Sequence, residues 1–171
     1  MTRRVCLVGV ESTGKTILAP RLAARFGGVV MPEYGREWAE VHGVDFDPAA
    51  LRQIAAGHIA ARALVEASAP TVIIEDTDIV MTSAWAVMLH GHRDRNLTAI
   101  AATADLYLLF APDTPWIDDG TRQFGGEERQ RFDAIIRDEL HQRGIGAIAI
   151  SGNWAQREAA AVRAIATMLA R

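Results

Sequence analysis

Residues 8–16 read VGVESTGKT, and no other stretch constrains the fold of this chain as strongly. The stretch matches the GxxxxGK(S/T) pattern of a glycine-rich loop that joins a strand to a helix and binds phosphate. An apolar run from Val5 to Val8 precedes the loop, and residues 15–26 after it have helical spacing. The motif therefore predicts a strand, a phosphate-binding loop and a helix whose N-terminus faces the phosphate. The positions that define the pattern are Gly9, Gly14, Lys15 and Thr16.

The loop also holds the only lysine of the sequence; the other 17 of its 18 Lys and Arg residues are arginines. A compact ammonium group can insert between phosphate oxygens as a point charge, which a planar guanidinium does less readily. We expect Lys15 to bridge the β- and γ-phosphates of a nucleotide and Thr16 to ligate Mg²⁺. The NKxD guanine-reading motif of Ras-type GTPases needs a second lysine, which this sequence lacks. The predicted nucleotide contacts are Gly9, Glu11, Ser12, Thr13, Gly14, Lys15, Thr16 and Ile17.

The composition is that of an ordinary globular chain of 171 residues, with 50% hydrophobic residues and a net charge of −3. There is no basic excess for a nucleic-acid backbone, and no apolar run reaches the roughly 18 residues of a membrane-spanning helix. The single cysteine, Cys6, lies in an apolar run, and we expect it to be a small buried strand residue. These features predict a cytoplasmic protein with neither nucleic acid nor membrane as a partner. They leave the oligomeric state open.

Five short apolar runs alternate with longer stretches of helical spacing. Strands joined by helices in this way form parallel sheets covered on both faces, so we expect an α/β fold with a five-stranded parallel sheet in three layers. Periodicity alone does not give the strand order. The predicted strands are Val5–Val8, Val29–Met31, Thr71–Ile74, Leu106–Phe110 and Ala147–Ile150, and the predicted helices cover residues 15–26, 48–68, 79–91, 127–143 and 154–170.

Capping signals support the predicted helices. Asp47 followed by Pro48 is typical of an N-cap with proline at the first helical position, Gly144 indicates a helix end, and Asn153 indicates the N-cap of the last helix. No repeat or linker interrupts the pattern, so residues 1–171 are predicted to form a single domain. Residues 112–126 form the one long irregular connection, and a connection of this length is more often a functional lid than an idle loop.

Carboxylates follow two of the predicted strands. The third strand continues as VIIEDTD, and because residues two apart in a strand share a face, this pattern allows Asp76 and Asp78 both to face the phosphate cleft. Asp76 is the candidate partner of Mg²⁺. Asp78 is equally well explained as the cap of the helix that begins near Ile79. Glu33 follows the second strand, where it is placed to take the proton of an acceptor hydroxyl, although Asp76 and Asp78 remain alternative bases.

Aromatic and basic residues surround these acids in the sequence. Tyr34 and Trp38 offer aromatic faces near Glu33, although Trp38 is also compatible with a core position. Arg36 offers a polar contact to an acceptor, or forms a surface pair with Glu37. In the predicted lid, Arg122 is the first choice for an arginine that closes over the transferred phosphoryl group.

The next helix adds two more candidate arginines. Arg129 and Arg131 are two residues apart on this helix, so at most one of them is expected to reach the site.

Four segments together resemble the nicotinamide riboside kinase domain of bacterial NAD-salvage proteins, a P-loop kinase with an AAA-like ATP-binding motif. They are GVESTGKT, EYGREW, the DTD after the third apolar run, and WIDDGTR. The resemblance extends over nearly the whole chain. It implies a nucleoside-kinase-like fold with strand order 2-3-1-4-5, and ATP and Mg²⁺ as cofactors. It also implies transfer of the γ-phosphate to the ribose 5′-hydroxyl of nicotinamide riboside.

The resemblance implies roles for individual residues. Lys15, Glu33, Asp76 and Arg122 are the implied catalytic residues, with Thr16 and Asp76 at the metal. A flat cationic pyridinium favours aromatic faces and nearby carboxylates, so the nicotinamide pocket is sought among the aromatic residues. The implied substrate contacts are Tyr34, Arg36, Trp38, Asp78, Trp85, Trp116 and Asp119.

Two alternatives to this function stay open. One is a kinase for another nucleoside or small alcohol, and the other is a regulatory ATP-binding module without turnover. The HxGH signature of nucleotidyltransferases is absent, so neither adenylyltransferase nor repressor activity is expected. His90 and His92 are expected to be polar surface residues rather than metal ligands.

Overall fold

A computed structural model describes residues 1–102, 104–117 and 123–171 of the chain. The strands are β1 (Arg3–Val8), β2 (Val29–Met31), β3 (Val72–Asp76), β4 (Leu106–Phe110) and β5 (Ala147–Ile150). The helices are α1 (Lys15–Phe26), α2 (Tyr34–His42), α3 (Pro48–Ala67), α4 (Ile79–His90), α5 (Arg95–Thr98), α6 (Gly126–Gln142) and α7 (Trp154–Leu169).

All five strands pair in parallel, in the order β2-β3-β1-β4-β5. Both the five-stranded parallel sheet and the strand order implied by the resemblance are confirmed. The central strand β1 places Cys6 beside Glu75 of β3 and Tyr107 of β4. Cys6 is fully buried, as expected. Parallel pairing brings the carboxyl ends of the strands to one edge of the sheet, where the loops that follow β1, β2 and β3 meet.

Buried side chains form three clusters that define the layers. One face of the sheet packs on α1 and α7, through residues such as Leu18, Leu22 and Ile165. The opposite face packs on α4 and α6, and a third cluster lies between α3, α4 and α5. Helices therefore cover both faces of the sheet, and the loop after β1 lies at the edge where both layers end. None of the described helices is long and apolar enough to cross a membrane.

The predicted caps are confirmed. The Asp47 side chain accepts a hydrogen bond from the Ala50 N–H at 2.7 Å, and Asn153 forms a capping box with Gln156. Gly144 follows α6 with a left-handed φ of 66°. Each cap satisfies backbone groups that would lack partners at a helix end.

Two helices were not predicted, α2 and α5. Tyr34, Trp38 and Val41 of α2 have helical spacing, but the helix has only nine residues and none of them is fully buried, so the signal is short and weak. α5 is a single turn of four residues that begins after the cap Asp94. β3 also extends two residues beyond the predicted end, to Asp76. Charged residues hid this extension, since strand prediction relied on apolar runs.

The central strands predict a test of stability. Ile74→Ala on β3 removes a fully buried side chain and should lower the free energy of unfolding by about 2–5 kcal/mol, because the rigid core closes the cavity only in part. Ile148→Ala on the edge strand β5 is the matched control, since Ile148 is 44% exposed. Urea denaturation measures both variants. An equal loss at the two positions would contradict the assigned core.

Candidate active site

The loop after β1 takes a shape that requires glycine at two positions. Gly9 has φ of 138°, and a Cβ there would lie 2.6 Å from the Phe110 carbonyl oxygen. Gly14 has φ of 91° and caps α1, and a Cβ there would lie 2.4 Å from the Trp154 ring. Side chains at these positions would be strained and would collide with backbone or ring atoms. The two glycines of the motif therefore allow the loop to wrap closely around the N-terminus of α1.

Lys15 is held inside this loop. Its Nζ donates hydrogen bonds to the carbonyl oxygens of Gly9 at 2.7 Å and Val10 at 2.9 Å, and the residue is only 9% exposed. The Thr13 hydroxyl donates to the same Val10 carbonyl at 2.8 Å. The ammonium group is thus fixed beside the N-terminus of α1. Its positive charge and the partial positive charge of the helix N-terminus both favour an anion at this place.

Thr16 and Asp76 meet behind the loop. The Thr16 hydroxyl donates to Asp76 Oδ2 at 2.6 Å, and Asp76 is 2% exposed. The other carboxylate oxygen, Oδ1, is buried without a hydrogen-bond partner in the described structure. A hydroxyl and a carboxylate are oxygen donors of the kind that Mg²⁺ prefers, and the unpartnered Oδ1 would be satisfied by a cation or its water shell. These two residues therefore suit the predicted metal.

One cavity of about 280 Å³ extends from the loop to the end of β3. It is lined by Glu33, which follows β2, and by α2, α3 and α4. Of the predicted residues, Asp76, Trp38 and Trp116 lie outside its wall, and Arg122 and Asp119 lie outside the described residues. The predicted residues that line it are Gly9, Glu11, Ser12, Thr13, Gly14, Lys15, Thr16, Ile17, Glu33, Tyr34, Arg36, Asp78 and Trp85.

Glu33 lies in this wall at the start of α2. Its carboxylate caps no backbone N–H, and Arg36 approaches it to 3.7 Å. Desolvation in the cleft raises the pKa of Glu33, and the negative charge of Asp76 adds to the shift, whereas Lys15 and Arg36 oppose it. A carboxylate with a raised pKa is a stronger base, so the environment suits proton uptake.

Asp78 lines the cavity together with the phosphate loop, but it does not share the environment of Asp76. β3 ends at Asp76, and Thr77 adopts a left-handed φ of 71° that breaks the alternation of side chains. The Asp78 carboxylate instead caps α4 through the Val80 N–H and accepts a hydrogen bond from the Tyr107 hydroxyl at 2.6 Å. The alternative role of Asp78 as a helix cap is confirmed, although the residue also lines the cavity.

The four aromatic candidates divide into two groups. Trp85 lines the cavity and packs against a cluster of phenylalanines, and Tyr34 lines it while its ring lies over Gly57 of α3. Trp38 instead stacks on His42, with ring centroids 4.4 Å apart, and joins the edge of the core. Trp116 lies against Gly125. Of these four predicted residues, Tyr34 and Trp85 belong to the cavity wall.

Two arginines hold the loop, and sequence reasoning missed one of them. Arg157 of α7 is 1% exposed and donates to the carbonyl oxygens of Thr13, Ala111 and Gly152 and to the Asp113 carboxylate. Burial lowers the pKa of Arg157. No sequence signal marks this arginine, because its partners are mostly backbone carbonyls distant in the chain.

The second of these arginines is Arg129 of α6. It donates to the carbonyl oxygens of Glu11, Pro112 and Thr114, while Arg131 is exposed. Only one of this pair therefore reaches the loop, as expected.

Two loop residues also hold the ends of the connection predicted as a lid. The Ser12 hydroxyl accepts from the Ile117 N–H at 3.0 Å, and the Ser12 carbonyl accepts from the Thr114 hydroxyl at 2.7 Å. The Glu11 carboxylate accepts from the N–H groups of Gln123 and Phe124. The phosphate loop and both flanks of residues 118–122 are thus one hydrogen-bonded unit.

The raised pKa of Glu33 predicts a gain in stability from its amide analogue. The folded state favours the protonated form of Glu33. The contribution of this carboxyl group to stability is therefore complete below its ordinary pKa of 4.5 and is lost as pH rises through the higher pKa of the folded state. Glu33→Gln should therefore raise the melting temperature at pH 7–8, and the gain should vanish below pH 4.5. Thermal unfolding across pH measures this, with the exposed Glu37→Gln as control. A gain that persists at pH 4 would refute the assignment.

Comparison with known proteins places the chain in a family. A model of the AAA domain matches residues 4–157. The trifunctional NAD biosynthesis/regulator proteins NadR of Escherichia coli (strain K12) and Salmonella typhimurium (strain LT2) are each 31% identical to it over 151 residues. Those alignments cover 84% of this chain and 37% of each relative, so the chain spans little more than a third of their length.

Solved structures agree in fold. NadR in complex with NR superposes with a TM-score of 0.81 at 24% identity, covering 99% of this chain and 52% of that one. NadR in complex with NAD and AMP-PNP superposes with a TM-score of 0.78 at 22% identity, covering 99% of this chain and 50% of that chain. Thymidylate kinase from Ehrlichia chaffeensis gives 0.66 at 14% identity, covering 96% and 98%. The resemblance to the NAD-salvage proteins is confirmed, and the chain belongs to the AAA domain family, with the fold of P-loop kinases and an ATP-binding loop.

Proposed function

We propose that this protein is an ATP-dependent kinase that phosphorylates the ribose 5′-hydroxyl of nicotinamide riboside and so forms nicotinamide mononucleotide in NAD salvage. The observation that supports this most directly is the single cavity that joins the phosphate loop to Glu33 and the aromatic wall. A nucleotide-binding module without turnover would need no such second chamber. The NadR relatives, one of them solved with NR, support the choice of acceptor.

The phosphate loop binds the ATP tail. Lys15 exchanges its two carbonyl partners for oxygens of the β- and γ-phosphates, and its charge stabilises the charge that develops on them during transfer. Thr16 and Asp76 would hold Mg²⁺, which, when bound, neutralises phosphate charge. Trp154 lies against Gly14 and lines the cavity, which supports the loop after β5 as the place where adenine is bound.

Glu33 acts on the acceptor hydroxyl. It takes the hydroxyl proton as the oxygen forms its bond to the γ-phosphorus, the bond from that phosphorus to the β,γ-bridging oxygen breaks, and ADP leaves. The proton then passes from Glu33 to solvent. A raised pKa suits this role because it makes the carboxylate a stronger base, and the charges of Lys15 and Arg36 oppose the shift.

The acceptor end of the cavity suits a flat cation. The rings of Tyr34 and Trp85 line it, and the carboxylates of Glu33, Glu40 and Asp78 lie in the same wall. A pyridinium ring is stabilised by aromatic faces and by nearby negative charge. This combination favours nicotinamide riboside over an uncharged nucleoside.

The remaining assignments belong to the same proposal. Residues 1–171 act as a single P-loop kinase domain in the cytoplasm, and residues 112–126 act as a lid. Arg122 is its candidate arginine for the transferred group, and Asp119 a candidate substrate contact. The protein acts on a small molecule, with neither nucleic acid nor membrane as a partner.

An assay of acceptor specificity tests the function. Purified protein with ATP and Mg²⁺ should convert nicotinamide riboside to its mononucleotide, as measured by chromatography of the product. Lys15→Ala should lower kcat/KM by roughly 10²–10³-fold, since it removes a charge that acts on the transferred group. Lys15→Arg should fail as well, because a guanidinium cannot occupy the small space between the loop carbonyls. Arg163→Ala on the exterior of α7 is the control.

Other acceptors separate the alternatives. ADP release stimulated by thymidine or uridine, and not by nicotinamide riboside, would replace the substrate and keep the kinase. ADP release stimulated by no acceptor, with ATP still bound, would favour the regulatory module.

The two carboxylates predict different kinetic losses. Glu33→Gln should lower kcat by about 10²–10⁴-fold with little change in the Kd of ATP, because the lost group acts on the acceptor proton. Asp76→Asn should lower kcat and raise the Mg²⁺ concentration needed for half-maximal rate. Steady-state kinetics and titration calorimetry measure these effects. Equal loss of ATP binding in both variants would indicate structural roles instead.

A further inference from the structure

His58 of α3 is a polar residue of the cavity wall to which the proposed reaction assigns no role. The residue is 4% exposed and lies in the wall with Thr77 and Asp78, at the carboxyl end of β3. The rest of the buried face of α3 is apolar: Ala50, Leu51, Ile54 and Ala55. A buried imidazole among such residues costs free energy unless its nitrogens find partners.

Glu75 of β3 lies directly behind His58. The His58 Nε2 atom is 3.5 Å from Glu75 Oε2, and both atoms are buried without a hydrogen bond in the described structure. Glu75 is 1% exposed, and Arg4 approaches its other oxygen to 3.6 Å. A carboxylate only accepts hydrogen bonds, so it favours the imidazole tautomer with the proton on Nε2.

This tautomer leaves Nδ1 of His58 as a hydrogen-bond acceptor. A ligand in the cavity can satisfy it with an O–H or N–H group. The contact of His58 with Glu75 places it near the carboxyl end of β3, and Glu75 pairs with Met31 of β2, two residues before Glu33. The 2′- and 3′-hydroxyls of the sugar are the hydroxyl donors that a nucleoside carries nearest to its 5′-oxygen.

We propose that His58 is a specificity residue that accepts a hydrogen bond from a ribose 2′- or 3′-hydroxyl of the acceptor, and that Glu75 is a positioning residue that fixes the His58 tautomer. This inference rests on the proposed kinase function. His58 would then bind the sugar of the acceptor, and Tyr34 and Trp85 would bind its base. An acceptor that lacks the bound hydroxyl would leave the buried imidazole unpaired, which is why discrimination is expected.

Kinetics with nicotinamide riboside and its 2′-deoxy and 3′-deoxy analogues test the proposal. With the wild-type protein, one of the two analogues should have about 10-fold lower kcat/KM. With His58→Phe, which keeps a ring without polar atoms, kcat/KM for nicotinamide riboside should fall by a similar factor and the penalty for the missing hydroxyl should disappear. The KM for ATP should stay within twofold in each case.

Two further variants separate recognition from folding. His58→Asn places a side-chain oxygen near the position of Nδ1 and should restore part of the discrimination between the analogues. Glu75→Gln should lower discrimination in the wild-type background and have no further effect on it with His58→Phe. His141→Asn on the exposed end of α6 is the matched control. Circular dichroism and thermal unfolding verify that the variants are folded.

The outcomes distinguish this inference from the function. If the wild type phosphorylates nicotinamide riboside and His58→Phe discriminates between the analogues as the wild type does, the His58 assignment is wrong and the kinase stands. If the folded wild type neither binds nor phosphorylates any riboside in calorimetry and assay, the proposed function is wrong and the His58 assignment with it.

Discussion

Parallel hydrogen bonding of β1 to β3 and β4 is the constraint on which the candidate site depends. It brings the loop after β1 beside the carboxyl end of β3, so that Thr16 at the start of α1 meets Asp76 at 2.6 Å. β2 pairs with β3 and delivers Glu33 to the same edge. Strands that ran antiparallel would send these three residues to opposite ends of the sheet, and no combination of side chains at the same sequence positions would then form a site.

Two buried arginines stabilise the phosphate loop that the sheet positions. The phosphate loop turns through left-handed conformations at Gly9, Ser12 and Gly14, so its carbonyl groups are outside the regular hydrogen bonding of strand and helix. Arg129 and Arg157 donate to carbonyls in and around this loop from two different helices. Several N–H donors on a rigid plane can satisfy several carbonyls at once, which a lysine cannot do with the same geometry. The loop is therefore held in its shape by α6 and α7.

Asp76 and Glu33 have different environments, and this difference supports different roles for the two carboxylates. Asp76 is buried and accepts a hydrogen bond from a residue of the phosphate loop, as suits a metal partner. Glu33 is partly exposed in the cavity and has a raised pKa because of desolvation and the nearby Asp76. Asp78 is the third carboxylate in the neighbourhood, and its hydrogen bonds to Val80 and Tyr107 engage it in the structure of the fold. Hydrogen bonding and burial therefore favour Glu33 over Asp76 and Asp78 as the proposed base.

The sequence by itself determined the glycine-rich loop, the five strands, the five long helices and the location of Lys15, Thr16 and Glu33. These follow from local causes: apolar periodicity, capping side chains and the backbone freedom of glycine. It did not determine the hydrogen-bond partners of Asp78, because the left-handed φ of Thr77 ends the strand alternation that the sequence pattern predicts to continue. Nor did it separate Trp85 of the cavity from Trp38 of the core edge, choose Arg129 over Arg131, or reveal His58 and Arg157. Those roles depend on contacts between elements far apart in the chain, and only tertiary packing decides them.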